Sequence, residues 1–241
     1  MSEGCQLIYT DFDVVTNLYG FAITAGTANV DGYQLTNQFS RRVVIPGVSE
    51  YNSQLAEPLM FQSGVTTYAP RFKNIKKINR IVIVKEETVN ITHGNFSGAS
   101  DMLPRSPVIQ LLEVKQGATT YTANTDFILS GDFVSWAPAG AEPVPGSTYS
   151  VKYRYQTVLT NYPIDAGHAS FQMTGVADNT LMYVDYEYFL SRIDRVMLKA
   201  DGGIVVMKGA PDYYRPMAPQ APETGLSLAT VQFTWGQDHI S

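Results

Sequence analysis

The sequence predicts an all-β protein with antiparallel, β-sandwich-like domains, an irregular N-terminal part and a proline-rich arm near the C-terminus. Charged residues make up only 16% of the 241-residue chain and hydrophobic residues 44%, where about a quarter charged is typical of soluble domains. The chain also contains 19 glycines, 13 prolines and 15 tyrosines, which suits short strands joined by turns. Residues 149–155 alternate strictly between apolar and polar side chains, as a half-buried strand requires.

Residues 10–69 carry short apolar runs separated by turn signals, and we expect strands here. The signals are Tyr19-Gly20, Asp31-Gly32 and Pro46-Gly47. Residues 54–61 have an alternative interpretation as a short helix, because Leu55, Leu59 and Met60 fall on one side at helical spacing.

Residues 75–92 are rich in β-branched side chains, which favour a strand over a helix. We place that strand around residues 79–86. The loop predicted at residues 93–107 contains Gly94, Gly98, Pro104 and Pro107, and proline denies a strand its ladder hydrogen bonds. A boundary near residue 100 would separate an N-terminal β-rich attachment or assembly region, 1–100, from a sandwich-like region, 101–241.

The second region contains a series of short strand candidates punctuated by turns. They are Val108–Val114, Thr119–Thr122, Phe127–Leu129, Val134–Trp136, Tyr149–Tyr155, Met182–Phe189, Ile193–Leu198, Ile204–Lys208 and Leu228–Trp235. Residues 137–146, with three prolines and two glycines, form a predicted surface loop. Asp201-Gly202-Gly203 predicts a hairpin turn, and the four prolines of residues 211–225 predict an extended, polyproline-like arm.

Charge and cysteine content exclude several classes of function. The formal net charge of −5 argues against nucleic-acid binding through phosphate neutralisation. Cys5 is the only cysteine, so no internal disulfide forms, which fits assembly in a reducing cytoplasm. We find neither an export signal nor 18 consecutive apolar residues, and expect no membrane insertion.

The sequence offers little support for enzymatic chemistry, a metal or a cofactor. The three histidines, His93, His168 and His239, have no metal-ligand spacing, and we interpret them as loop or surface residues. No nucleophile elbow, phosphate-binding loop or EF-hand loop occurs. We therefore predict no catalytic, cofactor-binding or metal-binding residues, and a protein that is not an enzyme.

The carboxylates offer a few candidate pairs of the kind that a glycosidase needs. These are Asp11 with Asp13, Asp185 with Glu187, and Asp194 with Asp201. Asp185 and Glu187 are two residues apart in a predicted strand and share a face opposite Tyr186 and Tyr188, and we favour a solvated polar face over a catalytic pair.

Two further residue sets permit a binding interpretation beside a structural one. The basic run, which could bind an acidic partner or lipopolysaccharide phosphate, consists of Arg71, Lys73, Lys76, Lys77 and Arg80; we favour a solvated strand edge, because charged edges block unwanted strand pairing. The tyrosines could stack on sugars, but protein interfaces and core rims use the same rings, and we favour these.

Several segments in this order resemble a bacteriophage tail-fibre and baseplate domain family of uncharacterised function. They lie within residues 75–235 and are Ile78–Glu86, Leu103–Ile109, Thr120-Tyr121, Asp126–Leu129, Trp136–Pro143, Pro145–Tyr155, Tyr188–Asp194, Lys208-Gly209 and Leu228–Val231. The resemblance implies a structural virion protein, assembled in the host cytoplasm, that joins copies of itself, as a homotrimer, to other tail or baseplate proteins.

Two other classes of function remain as alternatives. A glycan-binding receptor module would use tyrosines with Trp136 or Trp235 as exposed platforms for host sugars. A capsule-degrading enzyme would need a carboxylate pair in a cleft and, usually, a long β-helical repeat, and no such repeat is present.

Overall fold

The computed structural model describes residues 4–137 and 139–237. Within these residues the chain is all-β, as predicted, and contains no helix. The strands are β1 (Leu7–Asp13), β2 (Leu18–Ile23), β3 (Gly26–Val30), β4 (Tyr33–Asn37), β5 (Arg41–Pro46), β6 (Tyr51–Phe61), β7 (Thr67–Tyr68), β8 (Ile75–Thr92), β9 (Ser100–Met102), β10 (Val108–Gln116), β11 (Thr119–Thr120), β12 (Phe127–Ser130), β13 (Phe133–Trp136), β14 (Thr148–Tyr162), β15 (Phe171–Gln172), β16 (Thr180–Phe189), β17 (Arg192–Leu198), β18 (Ile204–Met207) and β19 (Leu226–Phe233). No helix long and apolar enough to cross a membrane exists in the described part of the chain.

The chain divides into two compact units that do not follow the expected boundary near residue 100. The first unit combines the residues up to Ser53, Phe72–Lys76 and the residues from Glu187 onward. The second consists of Gln54–Arg71 and Lys77–Tyr186. Residue 100 therefore lies inside the second unit. The N- and C-terminal parts of the sequence meet in the first unit, an association between distant segments that a local sequence pattern does not reveal.

The first unit contains two three-stranded antiparallel sheets that pack face to face. Their strand orders are β1-β2-β5 and β18-β17-β19. The shared core contains the buried side chains Tyr19, Phe21, Ile45, Val48, Val196, Val231 and Phe233. This packing of two sheet faces is sandwich-like, and it makes the N-terminal part more regular than its sequence pattern suggested.

The second unit is built on a six-stranded sheet of order β11-β10-β14-β8-β16-β6. A small sheet of order β12-β13-β9 contributes to the same core, which contains Leu103, Val108, Val114, Tyr121, Phe127, Val134, Trp136, Tyr149, Val151 and Tyr153. The predicted alternation in 149–155 is confirmed, since Tyr149, Val151 and Tyr153 are buried inside β14.

One predicted turn and one predicted hairpin are confirmed. Asp31-Gly32 joins β3 to β4 directly, with Val30 opposite Tyr33 and both turn residues at positive φ, as a tight two-residue turn requires. Residues 201–203 lie in the turn between β17 and β18, where Leu198 pairs with Ile204 and Gly202 adopts a φ of 78°.

The helical alternative for residues 54–61 is wrong, because these residues belong to strand β6. Strand β6 lies beside β16 in the six-stranded sheet, and this pairing overrides the helical spacing of the leucines. Pro58 gave the relevant signal in the sequence, because proline in a helix interior removes a hydrogen bond and clashes with the preceding turn.

Residues 211–225 lie between β18 and β19 and contact their own chain at several points. Asp212 and Ser191 exchange backbone hydrogen bonds, Arg195 Nε donates to Pro219 O (2.9 Å), and Gly225 N donates to Asp31. The polyproline-like crossing arm itself stays a prediction.

The buried guanidinium of Arg192 joins separate segments of the first unit. Arg192 is 1% exposed and donates to Asp194 (2.8 and 3.0 Å), to both carboxylate oxygens of Glu50 (3.0 and 2.9 Å) and to Pro46 O (2.7 Å). Asp194, fully buried, also accepts from Gly209 N. Each of the three guanidinium nitrogens therefore has at least one acceptor.

We expect Arg192→Met to lower the free energy of unfolding by about 3–5 kcal/mol, because it leaves the fully buried Asp194 carboxylate, and the partly buried Glu50, without their cation. Chemical denaturation measures this change. The matched control is Arg42→Met, since Arg42 pairs with Asp11 at 64% side-chain exposure, and an exposed pair contributes at most about 1 kcal/mol. Equal effects of the two variants would contradict this role for Arg192.

Candidate functional site

His93 lies in a loop, as predicted, but it is buried and does not reach the surface. The loop directly follows β8, and the residue is only 1% exposed. Its ring makes edge contacts with Trp136 and Tyr149. His168 is partly buried, and His239 lies outside the described residues.

Asp101, on β9, accepts hydrogen bonds from four groups in the core of the second unit. Its Oδ2 accepts from His93 Nδ1 (2.8 Å), Trp136 Nε1 (3.0 Å) and Tyr149 OH (2.7 Å), and its Oδ1 from Gly94 N (2.9 Å). Burial alone would raise the pKa of Asp101, but these hydrogen bonds outweigh burial and lower that pKa below its ordinary value. Burial, followed by the bond to Asp101, raises the pKa of Tyr149.

Trp136 belongs to this core and offers no surface to a sugar. It is 4% exposed and its ring lies edge-on to Tyr121, Phe127 and Tyr149. The expected use of tyrosines in the core is confirmed for Tyr19, Tyr68, Tyr121, Tyr149, Tyr153, Tyr186 and Tyr188, all of which are buried.

Asp185 and Glu187 do not form a solvated face, which corrects that interpretation. Both are buried, at 8% and 9% exposure, and so are Tyr186 and Tyr188 on the opposite face of β16. Asp185 pairs with Arg80 (2.8 Å) and accepts from Ala56 N. Glu187 pairs with Lys76 (3.0 Å). Strand β16 lies between β8 and β6, so both of its edges are paired.

The basic run does not mark a solvated strand edge. Lys76, Lys77 and Arg80 lie on β8, which is an interior strand between β14 and β16. Lys76 and Arg80 neutralise carboxylates of the neighbouring strand. Arg71, Lys73, Lys77 and Arg80 are nevertheless exposed, so most of the run faces solvent although it does not lie on a strand edge.

The remaining carboxylate pairs have separate structural partners. Asp11 pairs with Arg42, whereas Asp13 accepts from Val15 N and from the Thr16 hydroxyl at the tip between β1 and β2. Asp194 binds Arg192, and Asp201 accepts from Gly203 N. Among the described residues, no group of three or more His, Cys, Asp or Glu side chains is placed to hold a metal ion.

The outer face of the β12-β13-β9 sheet exposes apolar side chains. Phe133 lies opposite both Met102 and Ser130, and Ile128 lies opposite Ser135. Met102 is 65% exposed, Ile128 49% and Phe133 39%. None of these positions carries a charge, so this outer face resembles a protein-contact surface more than a solvated one.

A groove of about 390 Å³ in the first unit is lined by aromatic rings. Phe189 and Trp235 stack with ring centroids 4.7 Å apart, and Phe12 and Tyr19 stack at 4.3 Å. Asn17 and Ser49 add polar groups to the lining. Of the two tryptophans, Trp235 is therefore the one that lines a groove.

The fold and these surfaces define a β-rich protein whose buried ionisable groups serve to hold its sheets and loops together. A family model described as a domain of unknown function, DUF4815, matches residues 1–241, and the chain belongs to this family. No curated protein and no solved structure matches the chain.

We expect Asp101→Asn to destabilise the protein at neutral pH by about 1.5–3 kcal/mol, because charge-assisted hydrogen bonds are lost in the core. The folded protein holds the pKa of Asp101 below its ordinary value of 3.8. The ionised Asp101 therefore stabilises the fold fully when the pH is above 3.8, and this stabilisation is lost as the pH falls through the lowered pKa. The difference between wild type and variant should therefore shrink in acid. Denaturation curves recorded over a pH series measure it.

Asp201→Asn is the matched control, because the asparagine oxygen still accepts from Gly203 N at this exposed turn. It should change stability by at most about 0.5 kcal/mol. A wild-type-like Asp101→Asn variant would contradict the structural role of Asp101.

Proposed function

We propose that the chain is a structural component of a bacteriophage tail, at the baseplate or at a tail-fibre attachment point, and that it acts by protein–protein assembly as a homotrimer. The outer face of the β12-β13-β9 sheet is the observation that carries the assembly part of this proposal. Met102, Ile128 and Phe133 expose apolar surface there, on a rigid sheet and without a charged neighbour in the strand register. Burial of such apolar surface against another protein is favourable, because it removes the surface from water.

The disposition of the ionisable groups supports a role without enzymatic chemistry. Carboxylates that a hydrolase could use, such as Asp185 and Asp194, are themselves buried and paired with arginines. A general acid or base must instead reach a substrate proton at hydrogen-bond distance.

The phage setting rests on the resemblance of residues 75–235 to tail-fibre and baseplate domains. Self-association as a homotrimer and attachment to other tail proteins come from the same resemblance. The virion tail is the location that this proposal implies.

Gold-labelled antibody raised against residues 75–235 should decorate purified particles of the phage that encodes the chain. We expect label at the tail tip or the fibre base in electron micrographs. An antibody against a capsid protein serves as the positional control. Label at distal fibre ends would favour receptor recognition instead, and unlabelled particles, also after mild disruption that exposes buried epitopes, would contradict the proposal.

A second candidate function is glycan recognition, and the aromatic groove of the first unit favours it. Sugar rings pack on aromatic faces while amide and hydroxyl groups fix their orientation, and the groove offers Trp235, Phe12 and Asn17 together. Trp136, buried in the second unit, takes no part in this alternative.

For this second candidate we expect Trp235→Ala to abolish binding on an array of bacterial surface glycans, because the groove loses its largest ring. Tyr33→Ala is the control, since Tyr33 is 67% exposed on β4 and does not line the groove. Undiminished glycan binding by Trp235→Ala, or equal loss in both variants, would exclude the groove as a sugar site.

A further inference from the structure

His93 connects two loops at one end of the second unit. Its backbone N–H donates to Ser147 O (2.9 Å), and its carbonyl accepts from Gly146 N (3.1 Å). The loop after β8 is thereby joined to the end of the loop that leads into β14. Glu142, in the latter loop, also accepts from Ser97 Oγ and from Gly98 N (2.7 Å), which draws the same two loops together.

The two ring nitrogens of His93 have unequal surroundings. Nδ1 lies 2.8 Å from Asp101 Oδ2. Nε2 lies 3.4 Å from Glu142 Oε2 and makes no hydrogen bond within the described residues, although the side chain is 0% exposed. A buried polar atom without a hydrogen bond is rare in native proteins and needs a physical explanation.

Both neighbouring carboxylates are acceptors. The pKa of Asp101 is lowered by hydrogen bonds against the effect of burial, and the pKa of Glu142 is lowered chiefly by the Ser97 hydroxyl and the Gly98 N–H group. Nδ1 therefore donates to Asp101. If Nε2 carried no proton, its lone pair would face the Glu142 carboxylate at 3.4 Å without a proton between them.

We propose that a proton is held between His93 Nε2 and Glu142 Oε2, so that a doubly protonated His93 bridges Asp101 and Glu142 and closes the loop of residues 139–146 against residues 93–99. With this proton, His93 Nε2 becomes a charged donor that pairs with the Glu142 carboxylate. The surface made by these two loops then depends on pH, independently of whether the protein serves in a phage tail.

The groups that face the His93 ring come from three strands and one loop. They are Asp101 on β9, Trp136 on β13, Tyr149 on β14 and Glu142 in the 139–146 loop. Among the described residues, neither Asp101 nor Glu142 forms an ion pair with a lysine or an arginine. His93 is accordingly the one cation available to both carboxylates in this part of the structure.

Loop closure should be lost on both sides of a pH window. As the pH falls, Glu142 stays ionised, and continues to stabilise the closed loop, below 4.5, the ordinary pKa of a glutamate. This stabilisation is lost as the pH passes through the lowered pKa of Glu142. As the pH rises, Nε2 gives up its proton and the ion pair disappears. The two limits therefore involve different residues.

The test is nitrogen-detected NMR of the histidine ring in the full chain, combined with amide exchange at Gly98 and Gly146. At about pH 7.5, where a free histidine is about nine-tenths neutral, His93 should still show two protonated ring nitrogens. Loss of the Nε2 proton at higher pH should accelerate amide exchange at Gly98 by about tenfold or more beyond the base-catalysed trend, as expected for one charge-assisted contact.

Glu142→Gln removes the carboxylate charge, but its amide oxygen can still accept from Gly98 N while its NH2 group donates to the Ser97 hydroxyl, so the loop should still fold. In this variant His93 should lose its second proton at lower pH than in the wild type. Glu113→Gln, an exposed carboxylate of β10 paired with Lys115, should leave the titration unchanged. A lone-pair signal from Nε2 at about pH 7.5, or a titration that Glu142→Gln does not shift, would overturn the proposal.

Discussion

The pairing of charges inside the β-sheets is the interaction on which the structure depends. Arg192 shows this most clearly, because every nitrogen of its buried guanidinium has an acceptor within the first unit. Taking one ion from water into a protein interior costs several kcal/mol, and only close pairing with complete hydrogen bonding offsets that cost. The strands of this unit are therefore held in one arrangement by Asp194 and Glu50 as well as by apolar packing.

The same principle operates in the second unit with different residues. Asp101 accepts four hydrogen bonds in the aromatic core around Trp136, and Asp185 is neutralised by Arg80. Polar residues of the types that catalyse reactions in enzymes thus serve here to fix the positions of strands and loops. What the molecule presents outward is apolar sheet surface at Met102 and Phe133 and an aromatic groove at Trp235, features that suit binding and assembly.

The sequence was informative wherever short-range rules decide the structure. The alternating side chains of β14 and the turn residues Asp31-Gly32 and Asp201-Gly202-Gly203 predicted strands and hairpins, because side-chain period and positive φ are local properties. The sequence was misleading wherever burial depends on distant strands. The alternation around Asp185 and Glu187 predicted a solvated face, because nothing in their own segment reveals that β8 and β6 flank β16. His93 read as a loop residue, and its burial required Asp101, Trp136 and Tyr149 from three other segments. Arg192 gave no signal, because its acceptors Pro46 and Glu50 are far away in the sequence.

Native mass spectrometry of the purified chain tests the proposed assembly of three copies. A homotrimer should appear as a complex of three chains, each of 26.6 kDa, that persists on dilution and dissociates only when the chain unfolds. A folded monomer at every concentration, up to the limit of solubility, would contradict the claim that this protein acts as a homotrimer.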